Sequence, residues 1–305
     1  MFVGSHDSAA HTIDFNVSFW NYKSKWEWVR IAAKHFSFIR EIVVNMTKTQ
    51  NLSIFEQLTV GAKILDLRIS RANNIFYMSH TFCCMELECE LNEIVKYLNS
   101  DRDENKYRSA PIIILLKADF ANRSTVAGHE EELLQLLKSK LEPYLKNGNV
   151  SIYYEPMSID IANYSQIKNL SEITNIWFNV DNVQDFINKF NNIDISNKGV
   201  STLGCILTPN ENLNISKLLK ISLRQYADNL RPVSINLLSQ KAKKKEVLPN
   251  YCSFDFVDAS LVFAINSAVG AGVNVAGVDN VAGTVADAIA NDNYILRRLN
   301  ADDRQ

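Results

Sequence analysis

The sequence predicts a parallel α/β fold in one domain, and two observations carry that expectation. Short apolar, β-branched runs alternate with segments of helical period, the order produced by parallel strands and crossover helices. About eight such runs can be counted, which points to a barrel, with a doubly wound sheet as the alternative. The 305 residues are ample for one barrel of this kind.

The elements follow in order. Met1–Gly4 is a strand stub, and polar Ser5–Asn16 a loop. Phe19–Val44 is aromatic and basic, then apolar at helical spacing through Ile31, Phe38 and Ile42. Leu52–Leu58 is a short helix introduced by Ser53 and Glu56 at capping-box spacing. Ala62–Ile69 and Ile75–Met78 are strands joined by Asn73-Asn74. Leu87–Leu98 is a helix. Pro111–Leu116 has the composition of a strand buried on both faces. Glu130–Leu145 is a helix closed by Gly148. Strands are expected at Val150–Tyr154, Ile176–Val180 and Ser201–Leu207, with helices at Val183–Phe190 and Ile215–Leu230. Arg231-Pro232 reads as the start of a separate short helix, proline being permitted in a first turn. Tyr251–Phe256 is the last strand, and a helix runs toward Asn266. The barrel is assigned to residues 1–267. Residues 268–305 form an Ala/Val/Gly-rich extension in which Val278, Val281, Val285 and Ile289 have helical spacing.

Composition narrows the function. Hydrophobic residues make up 47% and charged residues 22%, as in a soluble globular protein. A net charge of −2 gives no bulk drive toward nucleic acid. No apolar run has the length of a membrane span. The first residues run straight into a polar motif rather than a secretory signal, so a cytoplasmic location is expected. Cys83, Cys84, Cys89, Cys205 and Cys252 show no zinc spacing and read as packing residues of a reducing compartment.

Reactive side chains gather at strand ends. His6 and Asp7 follow the first strand, Arg68 closes Ile64–Arg68, and His80 follows Phe76–Met78. Lys117 follows Ile112–Leu116, and Asp255 lies near the end of Tyr251–Phe256. In a parallel barrel this is the face where active sites are built. Singly, each has an ordinary structural explanation, which is applied to His11, His35 and His129. Asp66 is read as an ordinary carboxylate facing away from Leu67. Jointly, the set suits phosphoryl transfer without a metal. One neutral imidazole takes a proton from an attacking hydroxyl, a protonated one gives a proton to the leaving oxygen, and a guanidinium holds phosphate.

The motifs carry a likeness. Gly4-Ser5-His6-Asp7-Ser8 resembles the first signature of the phosphatidylinositol-specific phospholipase C X-domain family. Thr49–Leu58, continuing through Gly61-Ala62 to Leu65-Asp66-Leu67-Arg68, resembles the second. His80 stands where that family has its second histidine, and Cys252–Phe256 is similar to its final strand. The resemblance is specific over residues 4–120 and 250–266.

It implies a distorted TIM barrel that cleaves phosphatidylinositol-type lipids to diacylglycerol and inositol 1,2-cyclic phosphate. By the same resemblance His6 is the general base, partnered by Asp255. His80 is the general acid, partnered by Asp7. Arg68 binds phosphate, and Lys117 and Asp119 line the inositol pocket. Calcium-dependent members have carboxylates where Arg68 and Lys117 stand, so the chain resembles the metal-free branch, with no metal and no cofactor expected. Barrel phosphodiesterases that hold a metal with a Glu-x-Asp pair are the first rival; Asp66-Leu67-Arg68 argues against them. A non-catalytic phosphoinositide-binding scaffold is the second.

Such a substrate requires peripheral membrane contact. Phe19, Trp20, Trp26, Trp28, Lys23, Lys25 and Arg30 suit an interfacial layer, though Trp26 and Trp28 serve equally well as helix packing. Phe19 and Trp20 are the interface candidates, lying nearest the first catalytic loop. Lys241, Lys243, Lys244 and Lys245 precede the last strand and so lie on the opposite barrel face, as a solvated turn.

Overall fold

The computed structural model describes residues 1–20, 24–100, 111–161, 164–193, 200–208 and 222–270. Among these residues ten strands form one sheet: β1 (Phe2–Ser5), β2 (Ile64–Ala72), β3 (Ile75–His80), β4 (Phe82–Glu86), β5 (Ile112–Ala118), β6 (Val150–Tyr154), β7 (Ile167–Asn169), β8 (Thr174–Ile176), β9 (Ser201–Cys205) and β10 (Tyr251–Phe254). Eight run parallel in the order β7-β6-β5-β2-β1-β10-β9-β8, and β3 and β4 add an antiparallel flap to β2. Among the described residues β7 and β8 share no ladder, so the curled sheet is an open barrel.

The site follows from the strand period. In β2, Ile64, Asp66 and Arg68 share one face; in β5, Ile113, Leu115 and Lys117 do. The register sets Asp66 beside Leu115 and Arg68 beside Lys117. Ile64, Ile113, Leu115, Tyr153 and Ile173 form a buried apolar floor inside the barrel. Each strand therefore changes from apolar to charged along its inward column, and the charges emerge together at its C-terminal end. Gly4 lets β1 approach β2 closely: a Cβ there would lie 2.7 Å from the Ile64 Cβ.

Helices cover the outside. α1 (Lys25–His35), α2 (Ser37–Thr47), α3 (Ile54–Thr59), α4 (Leu87–Asn99), α5 (Glu130–Lys146), α6 (Val183–Asn191), α7 (Leu223–Lys243) and α8 (Ala259–Gly270) complete the fold. Leu87, Leu91, Leu133 and Leu137 pack on Leu65, Leu67, Ile114 and Leu116. Phe186, Phe190, Leu238 and Leu261 pack on Leu203 and Cys252 on the other flank. Ser53 and Glu56 form the expected reciprocal cap of α3.

Two sequence expectations are corrected. The strand placed at Ile176–Val180 ends at Ile176. Asn179, at φ 47°, is left-handed and incompatible with a continuing strand. The helix break at Arg231-Pro232 does not occur, because α7 runs unbroken from Leu223 to Lys243. Pro232 is exposed, as is Asp228, whose carbonyl would otherwise receive the missing N–H, so water can satisfy it. The separate strand β4 and the short β7 were not expected. Residues 215–221 of one expected helix, the extension from 271 on, and Lys23 lie outside the described residues.

Candidate active site

Seven ionisable side chains carried on or just after β1, β2, β3, β5 and β10 meet at the C-terminal mouth of the barrel. Phe2, Gly4 and His6 share the inward face of β1, and His6 Nδ1 lies 2.8 Å from Asp255 Oδ1. Asp255 is reached by the same alternation on β10, after Tyr251 and Ser253. The other nitrogen, His6 Nε2, lies 2.8 Å from an Arg68 Nη2 and 3.1 Å from Asp7 Oδ2. His80 Nε2 lies 3.2 Å from the same Asp7 oxygen, so this carboxylate stands between both histidines. The Arg68 Nε pairs with the other Asp7 oxygen. His80 Nδ1 donates to the Thr47 carbonyl at 2.6 Å, which fixes its tautomer. The two imidazole centroids are 6.3 Å apart.

Asp66 joins this group. Its carboxylate lies 3.4 Å from Arg68 Nη2 and 3.3 Å from Lys117 Nζ. The signal for it was available: position 66 is two residues from Arg68 on one strand and must share its face. Burial opposes ionisation of Asp66, but Lys117 and Arg68 overcome it and hold the carboxyl far below its usual range. Burial likewise works against charge on Arg68, and Asp7, Asp66 and Asp119 more than offset it.

The backbone around the site is clamped by buried side chains. Gln50 Nε2 donates to the carbonyls of His6 (2.8 Å) and Phe254 (3.1 Å), and its Oε1 accepts from Val257 N–H at 3.0 Å. Thr49 Oγ1 donates to the Asp7 carbonyl at 2.9 Å. The ends of β1 and β10, which carry His6 and Asp255, are thereby tied together.

Trp177 is a site residue that the sequence reading missed: it was placed inside the expected strand Ile176–Val180, whereas the strand ends at Ile176 and Trp177 lies just past its C-terminal end. Its ring lies 4.8 Å from the His6 ring, tilted by 47°. Gly204 gives it room, since a Cβ there would stand 2.9 Å from the indole Cε3. Asp119 is buried and its oxygens accept from Thr81 N–H, Ala121 N–H and the Asn122 amide. Asp258 is not in the site; it accepts from Leu261 N–H at 2.8 Å at the start of α8 and pairs with Arg231 at 2.8 Å.

Phe19 and Trp20 are half-buried in an aromatic cluster: Trp20 meets Phe82 at 5.6 Å and Phe19 meets Tyr77 at 6.1 Å. Trp26 also packs there. More exposed aromatic residues are Trp28, Phe36 and Phe38 on α1, α2 and their junction, and Phe120, which is 91% exposed just after β5; Phe2 and Phe263 are exposed elsewhere. Among the described residues no helix is long and apolar enough to cross a membrane.

The His6–Asp255 pair has a distinctive titration. Burial pushes His6 down to about 4, against the pull of Asp7. Burial pushes Asp255 up to about 7, against His80 and Arg68. The ordinary values are 6.5 and 3.8. From about pH 4 to pH 6.5 the folded pair therefore holds one proton, on Asp255, and the unfolded pair holds one, on His6. Equal proton numbers contribute no slope to stability. In Asp255→Asn only His6 remains. Its folded value lies below its unfolded value, so the unfolded chain gains protons first and stability falls as pH drops through that window. Denaturant titrations from pH 4 to 7 should show this added slope in the variant; parallel slopes for both proteins would refute the pairing.

No family model matches the chain. It is 29% identical over 101 residues to a PI-PLC X-box domain-containing protein of Dictyostelium discoideum, over 33% of this chain and 12% of that one. It is 26% identical over 140 residues to PI-PLC X domain-containing protein 1 of Danio rerio, over 44% of this chain and 42% of that one. The matched stretch thus spans less than half the length of either curated relative. The fold is similar to that of phosphatidylinositol-specific phospholipase C from Listeria monocytogenes, with TM-score 0.52, 14% identity, and coverage of 88% and 92% of the two chains. The enzyme of the same description from S. aureus, studied for its membrane binding, gives TM-score 0.54 and 14% identity, covering 86% and 91%.

Proposed function

From the premise that the chain belongs to the phosphatidylinositol-specific phospholipase C X-domain family, we propose that it cleaves phosphatidylinositol-type lipids by paired-imidazole catalysis. The observation that carries this reading is the continuous chain of contacts from Asp255 through His6 and Asp7 to His80, with Arg68 beside it. With Asp255 ionised, His6 Nδ1–H donates to it and Nε2 keeps its lone pair. In the resting arrangement Arg68 occupies that lone pair. A phosphodiester draws the guanidinium onto its oxygens, a geometry that suits a planar fork, and frees Nε2. The inositol 2-hydroxyl gives its proton to His6 Nε2 and its oxygen bonds to phosphorus. The bond from phosphorus to the glycerol oxygen breaks, and that oxygen takes the Nε2 proton of His80, which enters the step as the imidazolium and keeps its Nδ1 proton on the Thr47 carbonyl. The products are diacylglycerol and inositol 1,2-cyclic phosphate, and water activated in the reverse sense opens the ring. Asp7 stabilises the imidazolium on either side of the step.

The same residues bear on metal dependence. His6, Asp7 and Asp66 are close enough together to hold an ion. Arg68 is paired to both of these carboxylates and Lys117 to Asp66, so fixed cations already stand where a metal would bind. A divalent ion would have to displace three ion pairs and then face a permanent guanidinium. Turnover is expected to be the same in EDTA as in calcium, followed by phosphorus NMR of water-soluble products from phosphatidylinositol vesicles. A calcium requirement would remove the metal-independent reading. Binding of the vesicles with no product in either buffer would favour the scaffold instead.

We assign residues 1–267 to the catalytic barrel and 268–305 to an extension. Docking at the lipid surface is attributed to Trp28, Phe36, Phe38 and Phe120, bordered by exposed Lys25, Lys34 and Arg40.

A further inference from the structure

We infer that Asp119, together with Asn122, is a positioning residue that aims His80 by gripping the Thr81 peptide, and is not a ligand for the lipid headgroup. The inference rests on the role proposed for His80.

The argument begins with a connection of one residue. His80 pairs directly with Phe82 across β3 and β4, so Thr81 alone turns the chain. Thr81 has φ 63°. A β-branched residue is strained in the left-handed region and persists there only where its surroundings over-determine it. Here both of its peptide groups are held. Thr81 N–H donates to Asp119 Oδ2 at 2.9 Å, and the Thr81 carbonyl accepts from Asn122 Nδ2 at 3.0 Å.

The gripping pair is itself fixed. Asp119 Oδ1 accepts from Ala121 N–H at 2.9 Å and from Asn122 Nδ2 at 3.2 Å. Asp119 N–H donates to the Ile69 carbonyl at 2.8 Å, which anchors the corner to β2. Both side chains are buried. Asp119 thus spends both carboxylate oxygens on protein N–H groups, leaving it poorly placed to receive a sugar hydroxyl.

The pattern recurs at the other reacting groups. Asp7, at φ 41°, follows His6, and Phe256, at φ 53°, follows Asp255. The Asp7 carbonyl is held by Thr49 Oγ1, and Phe256 N–H donates to the Thr49 carbonyl at 2.6 Å. His6, His80 and Asp255 are each followed by a left-handed residue whose peptide a buried neighbour holds.

The test compares wild type, Asp119→Ala, Asn122→Ala, Thr81→Gly and the double variant Asp119→Ala with Thr81→Gly, on phosphatidylinositol vesicles. Asp119→Ala is expected to lower kcat about 100-fold, the scale of a 1 Å misplacement, with KM changed by less than about twofold. Asn122→Ala should shift kcat in the same direction. Glycine accepts positive φ without strain, so the double variant should regain at least about tenfold over Asp119→Ala. A defect confined to KM, or a double variant no better than the single one, would overturn the inference. Asp119→Asn replaces the alanine variant if the latter does not fold. An NMR titration of the His80 ring without substrate gives a separate readout: its midpoint should move in Asp119→Ala and return in the double variant. If wild type releases no product, the lipase reading fails, yet this titration still decides whether Asp119 positions His80.

Discussion

Replacing His6 with alanine is expected to lower kcat about 10⁴-fold, the upper range for a positioned general base. His80→Ala should fall comparably, and the double variant should lose little beyond either single one. The reason is geometric. Asp7 Oδ2 is shared by both imidazoles at 3.1 and 3.2 Å, so the histidines and Asp7 work as one unit. Groups that act as a unit are grossly non-additive when removed singly. Folding is a separate matter. Without His6, Asp255 is buried without its 2.8 Å partner. Burial already pushes that carboxyl up to about 7, so at pH 6 it is largely neutral and the variant should remain folded. Melting curves at pH 6 beside turnover at pH 7.5 separate the two effects. A folded His6→Ala protein with near wild-type turnover would eliminate the base assignment, and losses that simply multiply would eliminate the coupling through Asp7.

What the sequence revealed of this site follows from where each residue sits on its strand. His6, Arg68, Lys117 and Asp255 stand at the ends of strands, and before Lys117 the apolar Ile112–Leu116 run announces both the strand and its terminus. Asp66 was legible by the same alternation, but a carboxylate two residues before an arginine is common enough to pass as an ordinary ion pair. Trp177 was hidden, because the strand before it is only three residues long and ends at Ile176, so a residue expected inside a strand stands just past its end. β4 escaped for a related reason: Thr81 turns the chain alone, and threonine is not a turn signal. The Pro232 error ran the other way. A strong local breaker was overridden by packing, since Leu230, Leu237 and Leu238 bury one face of α7 on both sides of the proline. Phe19 and Trp20 could not be told from interfacial aromatics, because packing against Phe82 depends on a strand the sequence did not announce.

Asp255 and Asp258 lie three residues apart and should fail in opposite ways. Asp255→Asn keeps the shape of the side chain and replaces an acceptor with an amide. If its Nδ2 faces His6, it donates to Nδ1 and leaves the proton on Nε2, the nitrogen that must accept one. Loss of the orienting carboxylate in a triad of this logic costs about 10⁴-fold with geometry intact, so kcat should fall by about 10³- to 10⁴-fold while the melting temperature at pH 7 moves little. Asp258→Ala removes the acceptor of Leu261 N–H and the 2.8 Å partner of Arg231. The lost cap costs about 1 kcal/mol. The pair to Arg231, only partly exposed, adds to that. Arg231 also donates to the Phe256 carbonyl, next to Asp255, so turnover per folded molecule should drop only a few-fold as that contact loosens. Thermal melts and kcat on both variants decide the matter. A large kcat loss in Asp258→Ala with stability kept, together with an active Asp255→Asn, would transfer the orienting role to Asp258 and break the link between β10 and His6.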